Sequence, residues 1–218
     1  VNLEFLQKEY FDGLLRSDRN QCYQIVKKAL DEGTSIQEIY EGVFTQSMIK
    51  VGELWEANKM TVAQEHLATA ITQSVISGLY EYVFLNKKSE YKGKMILTCV
   101  GDELHELGPR MLGDLIEMDG WDVRYLGANM PVDSVVALAM EEEPNLVGIS
   151  STMAANKDLI KELVVKLRKN YNENVPIMVG GLAFLINPDL YSYTGADYFG
   201  KNYNDALKYS REVAMIGS

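Results

Sequence analysis

The sequence predicts a chain in two parts, a helical bundle followed by a parallel α/β sheet domain, and three observations predict it. Apolar residues recur at helical spacing as far as about residue 86. From residue 94 onward, short apolar runs alternate with helical patterns, the arrangement of successive βαβ units. Residues 86–93 between them are polar and end in Gly93, which reads as a linker. The expected boundaries are therefore a four-helix bundle over 1–86, a linker over 87–93 and a sheet domain over 94–218.

The elements follow in order. Leu3, Leu6, Tyr10, Leu14 and Leu15 form the apolar stripe of a first helix. Cys22, Ile25, Val26 and Leu30 form a second, ended by Gly33. Ser35-Ile36-Gln37-Glu38 is a capping box that opens a third helix containing Ile39, Val43, Met48 and Leu54. Thr61-Val62-Ala63-Gln64 opens a fourth, expected to run to about Phe84. Short turns between four helices imply an antiparallel bundle. After the linker, strands are expected at 94–100, 122–126, 146–150, 176–179 and 197–199. Helices are expected at 109–118, 131–142 (with Pro131 in the first turn), 157–169 and 203–215, plus a short one after Gly180–Gly181. Five strands joined by helical crossovers suit a flavodoxin-like or Rossmann-like sheet of order 2-1-3-4-5, helices on both faces.

Composition bounds the function. The net charge of −10 disfavours direct binding to phosphate backbones, and no Lys/Arg cluster exceeds pairs such as Lys27–Lys28 and Lys87–Lys88. No apolar run reaches the roughly 18 residues of a membrane helix, and charges interrupt any amino-terminal leader pattern. Cys22 and Cys99 are the only cysteines, too few for a disulfide framework or zinc site, so a reducing cytoplasm is expected.

In an open α/β sheet, ligands bind at the carboxyl ends of the strands where the order reverses. Here that is between the first and third strands. The loop after strand one contains Glu103-Leu104-His105 and ends at Gly108. Residues two apart in extended backbone face the same side, so Glu103 can accept the imidazole N–H of His105. That fixes the tautomer and raises the basicity of the other nitrogen, as around metal-bound histidines. Gly108 would admit a bulky ligand or tighten the turn into the next helix. The triplet alone is also what a solvated loop histidine with a carboxylate neighbour looks like.

The longer pattern carries more. Glu103-x-His105-x-x-Gly108 is followed after 41 residues by Ser150-x-Thr152, and after 27 more by Gly180-Gly181. This resembles the cobalamin-binding module of methionine synthases, corrinoid methyltransfer proteins and cobalamin-dependent mutases. Thr152 stands where that pattern usually has Leu or Val. The resemblance implies that His105 binds cobalt from the lower face in place of the dimethylbenzimidazole base. It also implies that Ser150, Thr152 and the diglycine line the slot for the detached nucleotide tail, where a side chain would take up space.

A second constellation lies in the bundle. Trp55 is separated by nine residues from Glu65-His66, with Asn58–Lys59 breaking the helix between them. A hairpin there would bring the indole near Val62 and His66, which are i,i+4 neighbours. Ordinary bundle packing, with Trp55 in the core, is the alternative. The chain's two histidines both fall in these constellations. The spacing is similar to the upper-face motif of light-responsive, adenosylcobalamin-dependent regulators, and that resemblance assigns Trp55, Val62, Glu65 and His66 to a cap around the adenosyl group. Glu rather than Asp at position 103 suits that branch. Glu56 replaces the histidine that some members carry after the tryptophan, and no helix-turn-helix precedes the bundle, so the chain is not expected to repress transcription by itself.

The expectation is a non-enzymatic light-sensing module that binds adenosylcobalamin, with a bilin, bound by some relatives of that class, as a candidate second chromophore. Its partners would be the cofactor, another copy of itself or a downstream effector. The alternative is a corrinoid shuttle, with methylcobalamin, serving two methyltransferases. No divalent-metal site is expected from Asp102, Glu103 and Glu106, and no phosphate-loop or nucleophile-elbow pattern is present.

Overall fold

The computed structural model describes residues 2–216. The chain divides into two compact units between Asn86 and Lys87.

In the first unit, α1 (Leu3–Leu15) starts at Asn2, whose side chain accepts from the amides of Glu4 and Phe5. Asp18 caps α2 (Arg19–Asp31), and Gly33 at φ +94° follows its end. The Ser35 capping box opens α3 (Ile36–Glu38). The rod continues through a π-helical stretch, Ile39–Thr45, into α4 (Gln46–Glu56). Helical spacing gave no sign of this wide turn. Within it Thr45 Oγ1 donates to the Tyr40 carbonyl, 2.8 Å away. Asn58 at φ +55° turns the chain, and the Thr61 capping box opens α5 (Val62–Gly78). The fourth rod is broken at Leu79 before α6 (Tyr80–Leu85), where one continuous helix was expected. Tyr10, Val26, Ile39, Tyr40, Phe44 and Val51 are fully buried and draw three rods into one core, and α5 joins it through Val75 and Thr72, whose hydroxyl meets the Tyr10 phenol.

In the second unit, β1 (Gly93–Thr98), α7 (Leu107–Met118), β2 (Trp121–Tyr125), α8 (Val132–Glu142), β3 (Leu146–Ser150), α9 (Lys157–Asn170), β4 (Ile177–Gly180), α10 (Leu182–Ile186), α11 (Asp189–Thr194), β5 (Tyr198–Gly200) and α12 (Tyr203–Ile216) follow one another. A 3-10 turn at Ala154–Asn156 leads into α9. All neighbouring strands are parallel, in the order β2-β1-β3-β4-β5. This is the arrangement the sequence predicts. Purely parallel strands need cover on both faces, and Ile96, Val147, Ile149 and Val179 supply one side of a core shared with Val135, Ile160, Leu163 and Phe184. Pro131 caps α8 instead of lying in its first turn, and two short helices follow β4 where one was expected.

The stretch expected as a linker differs most. Residues 87–92 lie against the α7–β2 turn: the amide of Lys88 donates to Met118 O (2.8 Å) and that of Lys92 to Gly120 O (3.1 Å). Gly120, at φ +106°, is required there, since a Cβ would stand 2.1 Å from Glu90 O. Asp119, only 3% exposed, gathers Lys88, Lys92 and the Arg211 guanidinium. Burial opposes its charge, but the bonds from Arg211, Lys88 and Lys92 outweigh that and hold the carboxyl well below its usual range. A polar composition here marks a charge-stapled strap, not a tether.

Candidate cofactor site

The strand order decides where the site lies. Because β1 sits between β2 and β3, the loop after β1 is flanked by the loops after both neighbours. Glu103 exploits this. It is fully buried, yet Oε1 lies 2.6 Å from His105 Nδ1 and accepts the His105 amide at 3.1 Å. Its Oε2 accepts from Ser151 Oγ (3.0 Å) and from the amides of Thr152 (2.6 Å) and Met153 (3.0 Å). One carboxylate thus fastens the histidine loop to the β3 loop. Burial alone would raise its pKa, but the bond to His105 and the amides of Met153, His105 and Thr152 hold it at about 2. A carboxylate at Nδ1 places the proton on that nitrogen, so Nε2 carries the lone pair of the neutral ring. The His105 side chain is 61% exposed, whereas its partner is completely covered.

On the other side, the Asn129 amide donates to Glu103 O at 3.0 Å, and the Tyr125 phenol donates to Glu106 O at 2.9 Å. Burial, then Glu106, push the Tyr125 phenol up, so it remains a protonated donor. Cys99, beneath the loop, is pushed up to about 12 by burial and by Glu103 and Glu106. It stays a thiol.

Gly108 lies inside the first turn of α7, and a Cβ there would meet nothing within 4 Å. The fold does not need this glycine to tighten a turn; what remains is the open space beside the histidine loop. The diglycine is different. Gly181 sits at φ +99°, and its Cβ would come within 2.4 Å of Ser151 O; a Cβ on Gly180 would lie 3.2 Å from Gly200 O. At Gly181 backbone packing itself demands glycine, whether or not a ligand is present, and at Gly180 a side chain would be a tight fit. Ser150 ends β3 opposite Gly180 and is half-buried, as is Thr152, whose amide serves Glu103.

The site residues fit a corrinoid. A nitrogen donor of fixed tautomer, the His105 imidazole, stands at the switch point of the sheet, next to unfilled space at Gly108. Among the described residues no cluster of three or more His, Cys, Asp or Glu could hold an ordinary metal ion. Sequence reasoning missed Ser151, Met153, Tyr125 and Asn129. The pairing of Glu103 with residues some fifty positions on leaves no local signal.

In the bundle, Trp55 and Val62 line one open depression with Asn58, Met60 and Gln64. Trp55 is 46% exposed and is not a core residue. One turn into α5, His66 Nδ1 lies 2.8 Å from Glu65 Oε2 and 3.0 Å from Val62 O. Both neighbours are acceptors, so this imidazole too carries its proton on Nδ1.

These features define a cobalamin-binding module, and the chain belongs to the B12 binding domain family. One model of that description matches residues 93–207 and a second matches 6–80. Trimethylamine corrinoid protein 1 of Methanosarcina acetivorans is 24% identical over 207 residues, 94% of each chain. The HTH-type transcriptional repressor CarH of Myxococcus xanthus is 27% identical over 146 residues, 66% of this chain and 47% of the repressor. The monomethylamine corrinoid protein of Methanosarcina barkeri shares the fold, with a TM-score of 0.82 at 21% identity over 98% of this chain and all of that one.

Proposed function

We propose that this chain is a cobalamin-dependent light sensor that takes adenosylcobalamin, with His105 as the lower cobalt ligand, and that it is not itself an enzyme. The observation that carries the reading is the exposed group in the bundle. Trp55 and Val62 stand in one depression although the bundle has a full apolar core, and a close Glu65–His66 pair lies a turn away. A large indole left nearly half exposed is a surface that gains by covering an apolar group of a ligand. Adenosylcobalamin supplies a Co–C bond that visible light breaks. This chain's residues would hold the cobalt from His105, line the tail slot with Ser150, Thr152, Gly180 and Gly181, and cover the adenosyl group with Trp55, Val62, Glu65 and His66. The output would be a change of association with a second copy or an effector, and a bilin is a candidate second chromophore. Buried free thiols at Cys22 and Cys99 support a reducing, cytoplasmic setting, and no helix among the described residues is long and apolar enough to cross a membrane.

A second reading, a corrinoid methyl carrier binding methylcobalamin and serving methyltransferases, is favoured by a different observation. The likeness to the trimethylamine corrinoid protein extends over nearly the whole of both chains.

The test is a spectrum. The protein is loaded with adenosylcobalamin in the dark and then illuminated. A stable photoproduct and a changed sedimentation coefficient are expected. Photolysis no different from the free cofactor, with no change in size, sinks the sensor reading. Trp55→Ala should keep cobalamin bound while losing preference for the adenosyl over the methyl form. Equal affinity of the wild type for both would favour the carrier.

A further inference from the structure

We propose that Tyr125 is a positioning residue for the cofactor-ligating histidine, fixing the loop that carries His105 by tying it laterally to β2. The proposal rests on the reading of His105 as the cobalt ligand and adds a residue that the motif does not contain.

The β1 loop is restrained on two sides. Toward β3, the buried Glu103 carboxylate takes the side chain and amides of residues 151–153. Toward β2, the Asn129 amide holds Glu103 O and the Tyr125 phenol holds Glu106 O, with a longer contact of 3.5 Å to Glu106 Oε2. These bracket His105 in sequence, one two residues before it and the other one residue after it. Gly127 brings the β2 loop close, since a Cβ there would lie 3.3 Å from Glu106 Oε2.

Glu106 O has two donors. The Arg110 amide reaches it along the helix axis at 3.0 Å, and the Tyr125 phenol reaches it from the sheet at 2.9 Å. Removing the phenolic oxygen leaves the carbonyl its helical partner, so no buried acceptor is orphaned. What is lost is the lateral tie. The contact therefore does little for the existence of α7 and much for where its first turn, and the residue before it, stand. A metal ligand tolerates small displacement poorly, which is why groups behind ligands affect affinity strongly.

The test uses the full chain with Tyr125→Phe, which keeps the half-buried ring. In the cofactor-free protein, amide exchange over residues 103–107 should quicken while the strands and the thermal midpoint stay as in wild type. With hydroxocobalamin, affinity should fall about tenfold, the low end of such effects. In protein labelled with 15N-histidine, the paramagnetic resonance of the reduced Co(II) form reports the nitrogen on cobalt, and the variant should show a smaller histidine fraction. Wild-type affinity and histidine fraction in the variant overturn the role of Tyr125 alone. A general loss of strand protection overturns it in favour of a merely structural role. Absence of histidine nitrogen from the wild-type spectrum overturns the ligand reading itself, and this proposal with it.

Discussion

Glu103 shows how a single side chain reconciles burial with charge. A buried carboxylate is unfavourable unless every oxygen is satisfied, and here two contacts from His105 and three from residues 151–153 meet that demand. Glutamine is nearly the same shape but turns an NH2 toward one of those donor groups. Glu103→Gln is expected to cost about 2–3 kcal/mol of stability, the scale of a hydrogen bond to a charged group. Hydroxocobalamin affinity should fall about 10–100-fold. Urea denaturation and a spectral titration measure the two. An unchanged midpoint with unchanged affinity would deny Glu103 its place behind His105. The adjacency of Glu103 and His105 is legible in the sequence because the two lie two residues apart. The partners at Oε2 are not, because they belong to another strand's loop.

At the scale of elements, the helix and strand ends separate two kinds of glycine that look alike in a motif. Gly108 stands in the first turn of α7 with open space around it. Gly108→Ala should leave stability unchanged or raise it by about 0.5 kcal/mol through helix propensity, yet weaken cobalamin binding if the ligand occupies that space. Gly181 at the end of β4 sits in backbone geometry open almost only to glycine. Gly181→Ala drives a Cβ into Ser151 O and should cost about 3 kcal/mol. Thermal melts alongside cofactor titrations distinguish them, and a destabilised Gly108→Ala would refute the assignment of that space to a ligand. The capping boxes at Ser35 and Thr61 were readable because they are local patterns. The π-helical stretch at Ile39–Thr45 was not, because its buried residues Ile39, Tyr40, Val43 and Phe44 keep the i, i+4 spacing of an ordinary helix.

For the whole molecule, the strap of residues 87–92 decides what belongs to which unit. The amides of Lys88 and Lys92 are bonded to the α7–β2 turn, so their exchange should be slow, near that of the strands, and fast exchange there would argue against the strap. Asp119 gives this strap a pH dependence. Its folded pKa lies below the unfolded value of about 3.9, so its stabilisation is complete above that value and is lost as the pH falls below it. Asp119→Asn should cost about 3 kcal/mol at neutral pH, the lower end for breaking a buried ion pair, because Lys88 and Arg211 remain partly exposed. It should also flatten the acid limb of the stability curve; an unaltered acid limb would place that dependence elsewhere. What the sequence by itself determined was the order of elements, the strand order, His105 with its carboxylate, and the spacing to Ser150 and Gly180–Gly181. Those follow from periodicity, from the rules of βαβ connection and from motif spacing along the chain. Only the tertiary structure decided that Glu103 also grips Ser151, Thr152 and Met153, that Tyr125 holds the next carbonyl, that Gly181 is required by backbone and Gly108 is not, and that the polar segment is a strap. Each depends on chain segments remote in sequence meeting in space, which no local pattern encodes.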